Sequence, residues 1–226
     1  MFVIRKSALI AAAIFFAAAL FASGGISKAN AASEEYARYT VVLDAGHGGV
    51  DPGVLGVTTK TKESDINLAI VKKLARYFAD AGFRVILTRK NEGGLYGLPT
   101  AGYKRRDMEA RRDIIEGAAP NAVISVHQNN FIADRSRRGG QVFFRDGDAN
   151  GIALANSIQD RLNTMNEREL AALRGDYYIL NCTRYASVIV ECGFLSNAED
   201  EALLLSEEYQ SQVAQAVFAG TLAYFC

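Results

Sequence analysis

The sequence predicts an α/β fold: one domain in which a sheet of about six strands is flanked by helices. Two observations carry this. Apolar, β-branched runs of strand length alternate with amphipathic stretches of helix length, the pattern of strands and helices sharing one core. After residue 38 no internal repeat, low-complexity tract or linker-like stretch divides the chain, and what remains is long enough to enclose a sizeable core.

Residues 1–31 are set apart from that domain. Arg5 and Lys6 precede an apolar run from Ala8 to about Ala22, and small residues lead to Ala29-Asn30-Ala31. This is the layout of a secretory signal peptide with its cleavage site. The alternative is an uncleaved anchor, but the apolar run is short for a span of ~20 residues. Either reading places the remainder outside the cytoplasmic membrane, with no stable span after cleavage. Residues 32–38 then form a short linker and 39–226 the folded domain.

The elements follow in order. "YTVVLDA" (Tyr39 to Ala45) is a continuous apolar run closed by glycines and reads as a buried strand. Gly46 to Thr61 reads as a loop. "SDINLAIVKKLARYFADAG" reads as a helix, with Ser64 or Asp65 as cap, Ile66, Ile70, Leu74 and Phe78 on one face, and Gly82 as stop. "FRVILTR" is a second strand. A loop leads to a charged helix from about Lys104 to Gly117, then "NAVISVH" is a third strand and "GGQVFFR" a fourth. "NGIALANSIQDRLNTM" reads as a helix, "DYYILN" and "SVIVECG" as two more strands, and the remainder as a short helix followed by a terminal one.

Composition excludes some functions. The full chain carries 25 basic and 25 acidic side chains, and three of the basic ones (Arg5, Lys6, Lys28) sit in the leader, so the mature domain is slightly acidic. That gives no electrostatic case for nucleic acid. The absence of tryptophan argues against a carbohydrate module built on stacked indoles. Cys182, Cys192 and Cys226 are an odd set for an exported protein, so at least one thiol is free. Cys182 and Cys192 are able to pair, although their spacing does not demand it.

The chain has two histidines, and both follow strand-like runs: His47 in "VVLDAGHGG" and His127 in "VISVHQNN". Glu191 ends a similar run in "SVIVECGF". Ligand sites in open α/β sheets gather at the carboxyl ends of strands, so these residues are placed to converge. A carboxylate after four apolar residues needs a partner, a raised pKa or a metal; a nearby arginine such as Arg89 would serve as well. Neutral imidazole is the commonest side-chain ligand of transition metals. Two imidazoles and a carboxylate form an established catalytic zinc set, and Glu63 at the start of the first helix is the third candidate. Alone, Glu63 reads better as a charge favoured by the helix dipole. No nucleophile elbow, dinucleotide fingerprint, P-loop or EF-hand is present.

The segments "VVLDAGHGGVDPG", "KESDINLAIVKKL", "VILTR", "ISVHQNN" and "VIVECGFLSNAED" occur in an order and spacing that resembles the zinc-dependent N-acetylmuramoyl-L-alanine amidases, amidase type 3. The similarity runs from about Tyr39 to Phe225. The stretch "GLYG…GYKRRDMEARRDII" and the lack of wall-binding repeats look most like the germination-specific amidases of spore-forming bacteria.

This resemblance implies a twisted, mixed but mostly parallel sheet and one zinc ion held by His47, Glu63 and His127, with Glu191 as the catalytic carboxylate. It implies hydrolysis of the amide between the lactyl group of N-acetylmuramic acid and L-alanine of the peptidoglycan stem, in the cell wall or the forespore intermembrane space. Asp44 and Asn129 are candidates to orient the histidines, and Arg135, Arg137 and Arg138 candidates to bind stem carboxylates. Equally, all five read as loop-forming or solvated residues. The short segment from Phe131 to Gly139 leaves no room for the plug that many members insert. The metal site is either complete in itself or completed by an activating protein partner. Gln128-Asn129-Asn130 and Cys192 depart from the usual pattern without touching a ligand. An exported zinc peptidase or deacetylase, and a non-catalytic wall-binding scaffold, are the alternatives; the scaffold would lack one of the four site residues.

Overall fold

The computed structural model describes residues 36–226, so the proposed leader and most of the linker lie outside the described residues. Six strands form one sheet: β1 (Thr40–Ala45), β2 (Arg84–Leu87), β3 (Ala122–Asn129), β4 (Gln141–Phe144), β5 (Leu173–Arg174) and β6 (Ser187–Phe194). Their order is β2-β1-β3-β6-β4-β5, and every neighbouring pair is parallel except β4 with β6. The sheet is thus mixed and mostly parallel. Its helices are α1 (Glu63–Asp80), α2 (Tyr103–Ala118), α3 (Ala149–Asn163), α4 (Tyr178–Asn181), α5 (Ala198–Leu204) and α6 (Glu207–Phe225). No described helix is long and apolar enough to cross a membrane.

Alternation along the central strands divides the core in two. Val41, Leu43 and Ala45 join Ile124, Val126, Val188 and Val190 in a large cluster with residues of α1, α3 and α6. Val42, Val123 and Ile189 face the other way, into a smaller cluster with Ile115 of α2 and Ile179 and Leu180 of α4. Period-two alternation then assigns Asp44, Ser125, His127 and Glu191 to this thinner side.

Two expectations need correction. "DYYILN" is not a strand: Tyr178–Asn181 is one helical turn, and Ile179 and Leu180, adjacent in sequence, both enter the smaller cluster. A strand would turn one of them away. The sixth strand is instead Leu173–Arg174, a two-residue pairing at the sheet edge that leaves no hydrophobic signature. Nor do Ser64 and Asp65 cap α1, which begins one residue earlier after Lys62. The Glu63 and Ser64 amides donate to the carbonyls of Val54 (2.9 Å) and Pro52 (3.0 Å), so the preceding loop satisfies the open helix end.

The helices α3 and α6 cross closely at Gly220, where a Cβ would stand 2.5 Å from the Ile158 Cα. Backbone cannot yield as a flexible side chain does. Gly220→Ala is expected to lower stability by about 1–2 kcal/mol, the overpacking cost exceeding the ~1 kcal/mol gain in helix propensity. Urea denaturation of the two proteins measures it; an unchanged or raised midpoint would contradict this crossing.

Candidate metal centre

The loop after β1 turns sharply. His47 has φ 61°, in the left-handed region, and follows Gly46, at which any Cβ would overlap the His127 imidazole. Glycine is required there for the rings to approach. Gly53 is similarly constrained, with φ 68° and a Cβ position overlapping the Glu63 carboxylate. The loop therefore folds back so that the first residue of α1 meets the ends of β1 and β3.

Glu63 is 2% exposed. Its Oε1 lies 2.9 Å from His127 Nδ1 and 3.3 Å from His47 Nε2. It also accepts from the Gln128 amide (3.1 Å) and Asn67 Nδ2 (3.3 Å), while Oε2 accepts from the Val54 amide (2.9 Å). The imidazole centroids are 5.0 Å apart, with planes at 77°. One ligand atom from each of His47, Glu63 and His127 lies within 4.8 Å of the others, which suits a shared ion. The three residues that sequence reasoning put together are together.

Charge compensation governs this cluster. Burial raises the Glu63 pKa, but hydrogen bonds and charge from His127 and His47 overcome it and hold the carboxyl well below its usual range. Burial lowers the His47 pKa, and Glu63 and Asp51 more than reverse that, raising it to about 9.

Glu191 pairs with His127 in the register of β3 and β6. Its Oε2 is buried and has no hydrogen-bond partner among the described residues. Burial, reinforced by Glu63 and opposed by His127 and His47, pushes its pKa up to about 7. Such a carboxyl is suited to exchange protons near neutrality. Arg89, the suggested ion-pair partner, is directed elsewhere: it donates to the carbonyls of Ala45 (2.8 Å), Gly46 (3.0 Å) and Ser64 (2.7 Å).

The remaining candidates divide. Asp44 bonds neither ring; it accepts from Thr88 Oγ1 and Ser125 Oγ, both at 2.6 Å, and pairs with Arg111. Asn129 accepts from the next residue's amide. Arg138 pairs with Glu167, Glu199 and Asp200, and Arg137 lies 4.4 Å over the Phe131 ring. The Arg135 carbonyl accepts from Asn197. The partner that sequence reasoning missed is Asp51, whose Oδ2 lies 2.9 Å from His47 Nδ1. Its position four residues after His47, in a loop of glycines, was the available signal. The cysteines are all free, and Cys192 is buried in the large cluster.

Beside the histidines opens a cavity of about 260 Å³, walled by Tyr96, Tyr103, Tyr177, Met108 and Ile189 and reaching His47 and His127. An α/β sheet with a His-Glu-His cluster at the carboxyl ends of its strands, a buried carboxylate oxygen beside it and an adjoining cleft fits a hydrolase that uses a metal ion.

Comparison with known proteins specifies which. The family model for N-acetylmuramoyl-L-alanine amidase matches residues 41–223. The germination-specific N-acetylmuramoyl-L-alanine amidase of Bacillus subtilis (strain 168) is 34% identical over 191 residues, covering 82% of this chain and 79% of that one. Among solved structures, the CwlD amidase from Clostridioides difficile, in complex with the GerS lipoprotein, superposes with a TM-score of 0.77 at 35% identity, covering 83% of this chain and 98% of that one. The catalytic domain of CwlV, an amidase from Bacillus (Paenibacillus) polymyxa var. colistinus, gives 0.73 at 26%, covering 83% and 98%. The chain belongs to the N-acetylmuramoyl-L-alanine amidase family and is an enzyme of that activity. The family and the cluster together fit a metal cofactor.

Metal ligands must be free of protons. If His47 is one of the ligands, its pKa of about 9 means that a cation binding at neutral pH displaces a proton from that ring. Apparent affinity is therefore expected to rise about tenfold per pH unit for each proton displaced, flattening once pH exceeds about 9. Chelator competition at several pH values measures the slope. Affinity independent of pH would refute the assignment of His47 as a ligand.

Proposed function

We propose that the enzyme is a zinc amidase, that His47, Glu63 and His127 hold the ion, and that Glu191 is the catalytic carboxylate. The observation that carries this is the joint geometry of the cluster and its neighbour: three ligand atoms within 4.8 Å, and an unpartnered buried Glu191 oxygen on the adjoining strand. An orphaned acid is costly unless it serves a group that arrives later, so the donor set and its neighbour both fit a bound dication with water. Held by these three residues, zinc would supply Lewis acidity for the scissile carbonyl and for the attacking water.

The protein's own residues do the rest. Asp51 fixes the tautomer and direction of the His47 ring through Nδ1. The cavity beside the histidines shields the muramoyl-alanine amide from bulk water. Glu191 removes the proton of the attacking water and returns it to the L-alanine nitrogen as the amide breaks. The products are the free lactyl carboxylate and a stem with a new amino terminus.

The similarity to the germination-specific enzyme of Bacillus subtilis supports a role in preparing spore cortex, where removal of the stem precedes muramic δ-lactam formation. The leader-like first 31 residues support export to the wall or the forespore intermembrane space. The CwlD structure, solved with a lipoprotein bound, supports a protein partner for this enzyme as well.

Two variants test the assignment on purified peptidoglycan, with released fragments read by mass spectrometry. Glu191→Gln is expected to retain one metal per chain and lose at least 10²-fold in turnover, the usual range for a general acid–base group. His47→Ala is expected to lose both metal and turnover. Normal cleavage by the Glu191 variant removes the mechanism. Products other than intact stems beginning with L-alanine would favour a peptidase or deacetylase.

A further inference from the structure

We infer that Arg111 is a positioning residue of the metal centre, holding His47 in its ligating conformation through the backbone. The inference rests on the metal reading of His47, Glu63 and His127. Arg111 projects from α2 and is 1% exposed, among the largest fully buried side chains. Its Nη2 donates to the His47 carbonyl at 2.7 Å and its Nη1 to the Ala45 carbonyl at 3.0 Å. Nε donates to Asp107 at 2.7 Å, and Nη1 also pairs with Asp44.

These contacts fall on the part of the chain that most needs them. His47 is one of three non-glycine residues with positive φ among the described residues, a conformation that persists only where its surroundings impose it. Arg111 takes the carbonyls on either side of Gly46, and Arg89 takes those of Ala45 and Gly46. With its carbonyl held by Arg111 and its Nδ1 by Asp51, the His47 side chain has little freedom but to direct Nε2 at Glu63.

The second arm of Arg111 reaches the other histidine. Asp44, its partner, accepts from Ser125 Oγ at 2.6 Å, and Ser125 stands two residues before His127 on the same face of β3. One guanidinium thus ties the carbonyl of one ligand to the strand of the other. A lysine could keep the charge but not the fork that spans Asp44 and His47 together. A buried ion pair is weak evidence for stability; its position relative to both ligands is what this one adds.

The test uses cobalt(II) binding to the metal-stripped protein, read by titration and by the visible spectrum, which reports ligand geometry. Arg111→Lys is expected to bind cobalt about 10- to 100-fold more weakly, the effect of losing an outer support of a metal ligand, with an altered spectrum. Val217→Ala, a core change in α6, controls for lost stability and should leave affinity and spectrum unchanged. Ser125→Ala, which loosens only the Asp44 arm, should weaken binding several-fold and stands as the test if Arg111→Lys does not fold. Wild-type affinity and spectrum in folded Arg111→Lys, or wild-type affinity in Ser125→Ala where the lysine variant is unfolded, would overturn the inference. Failure of the wild-type protein to bind one cobalt would instead remove the metal reading beneath it.

Discussion

A carboxylate shared by two imidazoles is the constraint around which this enzyme is built. Glu63 is almost inaccessible to water, so every oxygen lone pair it offers must be answered from within. The answers come from distant parts of the chain: the loop after β1, the end of β3 and the second turn of α1. The folded chain cannot place Glu63 without also placing His47 and His127. The site is thus a product of the sheet's connectivity, and its position at the carboxyl edge follows from parallel strands that all end there.

Much of this was legible in the sequence, for identifiable reasons. The α/β class and five of the six strands follow from β-branched runs that need no context to read. The short β5 does not, because a two-residue pairing is made by its neighbour β4 and not by its own composition. The helical turn at Tyr178–Asn181 was hidden because Tyr and Ile favour strands, and only the packing of Ile179 beside Leu180 decides otherwise. His47, His127 and Glu63 could be gathered from motif order. Asp51 and Arg111 could not, because their roles depend on a loop reversal and on the docking of α2, both tertiary facts. Arg138 shows the converse: beside His127 in sequence, it is taken up by Glu167, Glu199 and Asp200.

The two hydrophobic layers explain where the chemistry sits. One face of the sheet is covered by α1, α3 and α6 with a broad apolar cluster; the other by α2 and the single turn α4 with a small one. Alternation directs Asp44, Ser125, His127 and Glu191 to the thinner face, where polar side chains displace fewer packing contacts. The same shortage of apolar cover leaves the tyrosine-walled cavity between α2 and α4. A fully layered sandwich would have no room for substrate at this point.

Burial pushes the pKa of both acids on that face upward, and their different partners separate them. Asp44 is buried, yet Arg111, Ser125 and Thr88 hold its pKa near 2, so it stays an anion and a structural anchor. The Glu191 Oε2 is buried with no donor among the described residues, and the carboxyl pKa rises to about 7. One acid is bound too well to exchange a proton and the other too poorly to keep a fixed charge. Two carboxyls on one sheet face are divided in this way by their hydrogen-bond partners, one into a fixed anchor of the frame and the other into the acid that the proposed mechanism requires.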